Sequence, residues 1–208
     1  MLVDVPPVSQ RYRDARRRQV VDAARRCFAR KGFEASSMQE ICTQAGLSAG
    51  AIYGYFPSKD HLIAAIVDEV LAEITTGLET LEHHDPPVLH KAVAHLFAVL
   101  DRPEHGGELA RLAVQVWAEA AGNPALRNRL AAHYRDLQTR FTLLVQHCQR
   151  AGTLDPDLAP GDLAQVLTAL GPAFLSQRAL LDDAVTAEAF TNGLRALTTT
   201  GLRTAPSS

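Results

Sequence analysis

The amino-acid sequence predicts an all-α fold in two units, a small N-terminal three-helix unit followed by a larger helical one. Three observations predict it. Apolar residues recur at three- and four-residue intervals in one segment after another, no stretch alternates with the two-residue period of a strand, and Gly, Pro, Ser and Asp fall between the periodic segments. The chain has 208 residues, 47% of them hydrophobic, enough to bury a core in one large or two modest domains. It shows no internal repeat.

Residues 1–10 carry Pro6 and Pro7 and are expected to be a disordered arm. A first helix over 11–31 places Val20, Val21, Ala24, Cys27 and Phe28 on one face and stops at Gly32. Ser37 with Glu40 has the spacing of a capping box, so a helix starts there and runs through Ile41 to about Ala45. Gly46 supplies the left-handed residue that ends it. Leu47 packs inward, and Ser48 caps a short helix over 49–53. Pro57 cannot continue that helix, and Ser58 caps the next. From Lys59 to about Leu81 a long linking helix carries Leu62, Ile63, Ile66, Val67, Val70, Leu71, Ile74 and Leu78, and Asp85-Pro86-Pro87 breaks it.

Five more amphipathic segments follow. One covers 88–100 and ends at Asp101-Arg102-Pro103 and Gly106-Gly107; the next covers 108–121. Pro124, at a first helical position, opens 124–151, whose stripe is Leu126, Leu130, Tyr134, Leu137, Phe141, Leu144, Val145 and Cys148. Segments 163–181 and 186–200 close the chain, giving nine helices. Pro172 interrupts the former, where its missing N–H leaves the carbonyl of Thr168 without a donor and kinks the helix. The domains are therefore 1–10, 11–58, the linking helix 59–81, and 82–204.

Two helices across a turn of three or four residues containing Gly form the helix-turn-helix DNA reader. The run Gly46-Leu47-Ser48-x-Gly50-x-Ile52-Tyr53-x-Tyr55-Phe56-x-Ser58-Lys59-Asp60 resembles the signature of the tetracycline-repressor (TetR) family. So does Ala24-x-x-Cys27-Phe28-Ala29-x-x-Gly32-Phe33-Glu34-x-Ser36-Ser37-Met38 upstream. The detailed likeness spans about residues 15 to 62; beyond it only length and helical character agree. The resemblance implies a DNA-binding head and a second domain that varies with its ligand.

Charge is distributed accordingly. Residues 1–60 hold ten Lys/Arg against six Asp/Glu, a net of +4, whereas residues 61–208 carry a net of −6. A basic head before an acidic body suits a nucleic-acid binder, although Arg-rich helix faces are often only solvated. No secretory apolar region and no run of eighteen apolar residues occurs, so the chain is expected to be cytoplasmic, on the nucleoid, with no membrane partner. Cys27, Cys42 and Cys148 lack metal-ligand spacing; the first two fall on inward faces, with a redox pair between them as the alternative. His83, His84, His90 and His95 straddle a Pro-Pro loop rather than sharing a helix face at four-residue spacing, so they read as solvated and no metal or cofactor is expected. No catalytic arrangement has motif support, so no enzyme activity is expected.

Helix starts offer free N–H groups to phosphate, which assigns backbone contacts to Ser36, Ser37, Ser48 and Lys59. Tyr53 and Tyr55, at the far end of the reading helix, reach phosphate or a thymine methyl. The resemblance places phosphate contacts at these tyrosine and lysine positions too. Ala49, Gly50 and Ala51 leave the groove face nearly bare, so Gln39, Thr43 and Gln44 are the remaining polar candidates for base edges. The arm Arg11-Tyr12-Arg13 is a candidate for an adjacent minor groove. Phe56 reads as core.

In the second domain, aromatic and polar side chains sit within apolar stripes: His95, Phe97, Gln115, Trp117, Tyr134, Phe141 and Phe174. Ordinary core is one reading; the other, which the resemblance favours, is a pocket for a small apolar or aromatic effector. Leu163, Leu167, Ala173, Phe190 and Leu194, on the last two helices, are assigned to a homodimer interface, with Ala164, Ala169 and Ala189 permitting close approach. The sequence thus describes a homodimeric, ligand-responsive transcriptional regulator, most simply a repressor of a palindromic double-stranded operator. A helical small-molecule-binding or enzymatic protein, or an architectural DNA-binding protein without an effector, are the alternatives.

Overall fold

The computed structural model describes residues 10–82, 89–102 and 107–200, except the side chains of residues 82 and 197–200. The helices are α1 (Gln10–Lys31), α2 (Met38–Ala45), α3 (Ala49–Tyr55), α4 (Lys59–Glu82), α5 (Leu89–Leu100), α6 (Glu108–Gly122), α7 (Pro124–Arg150), α8 (Pro160–Leu181) and α9 (Ala187–Thr200), with a 3-10 turn at Asp182–Ala184. No strand occurs among the described residues. Two boundaries differ from expectation by more than one residue. α3 runs on past Tyr53 to Tyr55, and α8 starts at Pro160 because proline suits a first helical turn. Pro6 and Pro7, His83 and His84, Asp85-Pro86-Pro87, and Pro103 with Gly106 lie outside the described residues. The chain divides into two compact units between Ile66 and Val67, inside α4.

In the first unit α1 buries Val20, Val21, Ala24, Cys27 and Phe28, the predicted stripe, joined by Ala23 and Ala29. Against it lie Ile41 and Cys42 of α2, Ile52 of α3 and Phe56, all buried. Phe28 meets Phe33 edge to face at 5.3 Å between ring centroids. Gln19 Nε2 donates to the Ala45 carbonyl at 2.7 Å, tying α1 to the end of α2.

The second unit is organised on α8, which packs against α5, α6 and α7, while α9 lies on α5. Phe97, Phe174 and Phe190 stack mutually, each pair 5.3 Å apart. Fully burying a Phe stabilises by roughly 1.5–3 kcal/mol, and such ring pairs add about 0.5–1.5 kcal/mol. Gly77 of α4 admits the ring of His95: a Cβ there would stand 1.8 Å from Nε2. Burial holds His95 below its ordinary pKa.

The packing corrects part of the expected interface. Leu167 is buried in its own core at 1% exposure, and Ala164 likewise at 0%. Phe190 belongs to the three-ring cluster, and Leu163 and Leu194 are half-buried against the same core. The five-residue assignment followed apolar character, and apolar residues are those the monomer claims first. Ala173 is half-buried. The outward face of α8 instead carries Gln165, Val166, Ala169 and Leu180.

Candidate nucleic-acid interface and effector site

The reading surface is built by caps. Ser37 Oγ accepts from the Glu40 N–H, and Glu40 accepts from the Ser37 N–H at 3.0 Å, which closes the capping box. Lys31 pairs with the same carboxylate. Its hydrogen bond, then that from the Ser37 backbone, hold Glu40 down at about 2. At the other end of α2, Gly46 is left-handed at φ 65°; its N–H reaches the Thr43 carbonyl, and the Leu47 N–H reaches that of Cys42. Two residues later Ser48 Oγ accepts from the Ala51 N–H at 3.3 Å and starts α3.

This geometry turns one face of α2 and α3 outward. Gln39, Thr43, Gln44, Ser48, Ala49, Gly50 and Ala51 are all exposed, Tyr53 is 50% exposed, and Tyr55 is half-buried. Only Ile52 of α3 is buried. A Cβ placed on Gly50 or Gly54 would meet no atom within 4 Å, so the fold itself requires neither glycine. The surface offers backbone, methyl groups, two amides and a phenol.

In the second unit Trp117 Nε1 donates to Tyr134 Oη at 3.1 Å, joining α6 to α7. Burial raises the Tyr134 phenol, and the Trp117 bond offsets part of that. A groove of about 210 Å³ lies between α7 and α8, lined by Tyr134, Arg135, Gln138, Gln165, Thr168, Ala169 and Pro172. Pro172 and Thr168, its would-be hydrogen-bond partner, both line it, so the bend predicted from the sequence borders open space.

The profile described as bacterial regulatory proteins, tetR family, matches residues 20–66, and that of the BetI-type transcriptional repressor C-terminal domain matches residues 89–203. The chain belongs to the TetR family. The transcriptional regulator UidR of Escherichia coli K12 is 27% identical over 185 residues, covering 87% of this chain and 90% of that one. Salmonella enterica GusR superposes with a TM-score of 0.70 at 25% identity, over 95% and 99% of the two chains. SmeT of Stenotrophomonas maltophilia, solved with triclosan, gives 0.76 at 24% identity over 90% and 91%. As a TetR-family regulator the chain is a DNA-binding transcription factor, and α2–turn–α3 is its helix-turn-helix.

Within that TetR frame several assignments change. Ser36 is 3% exposed and its hydroxyl is held by the Gly32 and Cys27 carbonyls, at 2.7 and 3.2 Å, so it cannot meet phosphate. Lys59 Nζ donates to the Phe33 and Glu34 carbonyls at 2.9 and 3.2 Å and lies 4.7 Å over the Phe33 ring. It fastens the loop after α1 to the first turn of α4. Arg11, Tyr12 and Arg13 are inside α1, exposed on a helix rather than on a free arm.

Phe97, Phe141 and Phe174 are at most 1% exposed and serve as core. His95, Gln115 and Trp117 are half-buried, and Tyr134 alone of the predicted set lines the groove. Arg135, Gln138, Gln165 and Thr168 escaped sequence reading because polar residues on amphipathic helices look like ordinary solvent faces. The cysteines are free and buried; burial raises the thiols of Cys27 and Cys148, which makes them poor nucleophiles. Among the described residues no three His, Cys, Asp or Glu are grouped to hold a metal, and no helix is long and apolar enough to cross a membrane.

Proposed function

We propose that the protein is a cytoplasmic homodimeric repressor that sits on a palindromic operator of the nucleoid and leaves it when a small apolar or aromatic effector enters the body. The observation that carries the DNA half is the outward face of α3, held in shape by the Ser48 cap yet nearly empty of side chains. Such a face reads thymine methyls and groove shape through close backbone approach, with Gln39 and Gln44 supplying the amides. Support for the effector half is the proline inside α8, which borders a groove with Tyr134, and a structural neighbour, SmeT, solved with triclosan.

Two heads must be held by a two-fold interface if half-sites lie about 34–36 Å apart. The exposed face of α8 fits that role: Val166 is 57% exposed and Leu180 81%. Val166→Asp should run as a monomer without loss of fold; a variant still dimeric moves the interface elsewhere.

Selection of full-length protein on a random duplex pool should enrich a palindrome. Tyr53→Phe should then weaken specific and random duplex alike, because the phenol meets phosphate. Loss of specificity with random-duplex affinity intact would instead assign Tyr53 to a base edge. Triclosan, as a first aromatic probe, should raise the melting temperature. A pool that yields no enriched sequence overturns the reading.

A further inference from the structure

Helix α4 is anchored by apolar burial at two places. Ile66 and Val67 are buried on one side, and Ile74 and Leu78 on the other. Between them, from Asp68 to Glu73, no side chain is fully buried. Polar ties to the rest of the second unit occupy that gap. Asp68 takes a two-pronged hydrogen bond from Arg129 of α7, at 2.8 Å from Nε and 2.6 Å from the terminal nitrogen. His133 Nε2 lies 2.9 Å from the same carboxylate. Further along, Arg140 of α7 pairs with Glu79 at 2.7 Å and is oriented by Asp136 at 3.1 Å.

The two rungs share a register. Asp68 to Glu79 is eleven residues on α4, and Arg129 to Arg140 is eleven on α7, in the same chain direction. Eleven residues make about three turns and about 16 Å of rise, so both rungs lie on one face of each helix. The planar fork on Asp68 fixes direction as well as distance, which a single lysine contact would not do. A tie of this sort holds a helix in place yet breaks at small cost compared with an apolar anchor.

We infer that Asp68, Arg129 and His133 are positioning residues that set the axial place of α4, and through it the placement of each reading head, in DNA binding by this regulator. The inference rests on the proposed two-headed repressor. Asp68 makes no demand on the reading surface, so removing its charge should alter where a head stands and not what it reads. The quantity that reports this is the ratio of affinity for the enriched two-half-site duplex to affinity for a single half-site.

In Asp68→Asn the ratio should fall roughly two- to thirtyfold, with half-site affinity retained. Arg129→Lys should fall in between, because it keeps the charge and loses the fork. An unchanged ratio in a folded Asp68→Asn protein overturns the inference. Should that variant unfold, Glu79→Gln, at a half-exposed site, carries the test, with a smaller fall expected and an unchanged ratio again overturning it. Amide exchange needs no DNA: residues 59–73 of α4 should exchange faster in Asp68→Asn while α6 and α8 keep wild-type protection. Unchanged α4 exchange refutes the tie even where no operator is found, whereas altered exchange without an enriched duplex removes the repressor reading and leaves the tie standing.

Discussion

The head is closed by polar caps on short helices, and the body by aromatic rings from distant helices. In the head, Ser37, Gly46 and Ser48 each act within five residues of their partners. In the body, Phe97, Phe174 and Phe190 come from α5, α8 and α9 and meet only after the chain has folded back on itself. A surface that must present the same atoms to DNA each time benefits from local, directional bonds. A domain that must admit a ligand benefits from large rings and long helices that can be repacked.

The sharpest way to break this contrast is to empty the body core. Phe174→Ala removes one of three mutually packed rings at 0% exposure and should cost about 3–5 kcal/mol, read from denaturant unfolding. If the two units melt separately, the body transition should move and that of the head should stay. Next is Gly77→Ala, whose new Cβ would collide with the His95 ring; an overpacking cost of about 1–3 kcal/mol is expected. Combining it with His95→Ala should recover most of the loss, and a pair that simply adds would show that the contact is not the cause.

Ser37→Ala tests the head. Loss of the α2 cap should cost about 1 kcal/mol, with the melting temperature as readout. The smallest effect is electrostatic. Glu40 is held at about 2 against an ordinary 4.5, so its contribution is complete above 4.5 and is lost as pH falls toward 2. Melting temperatures of wild type and Glu40→Gln should therefore converge on acidification through that window. A difference that stays constant from pH 6 to pH 2 would show that the carboxylate charge contributes nothing.

The same contrast explains what the sequence disclosed. The capping box, the glycine stop and the serine start are each spelled by a residue and its near neighbour, so α2, the turn and the start of α3 were legible. Lys59 and Ser36 were not, because their partners in α1 and the loop after it are fixed by how the chain folds back. The body helices were legible as apolar stripes, yet a stripe does not say which neighbour it faces. Leu167 and Phe174 read as interface and pocket, and the monomer buries both. Asp68 and Arg129, 61 residues apart, carry no local signal at all.

Gly50 and Gly54 stand on α3 with open space where a side chain would go. Each gives up about 1 kcal/mol of helix preference relative to alanine, in a helix of only seven residues. A Cβ introduced at either place would meet no neighbouring atom within 4 Å, so the fold accepts a small side chain there. The outer face of the reading helix can therefore take new side chains at these two places while the scaffold beneath it stays unchanged.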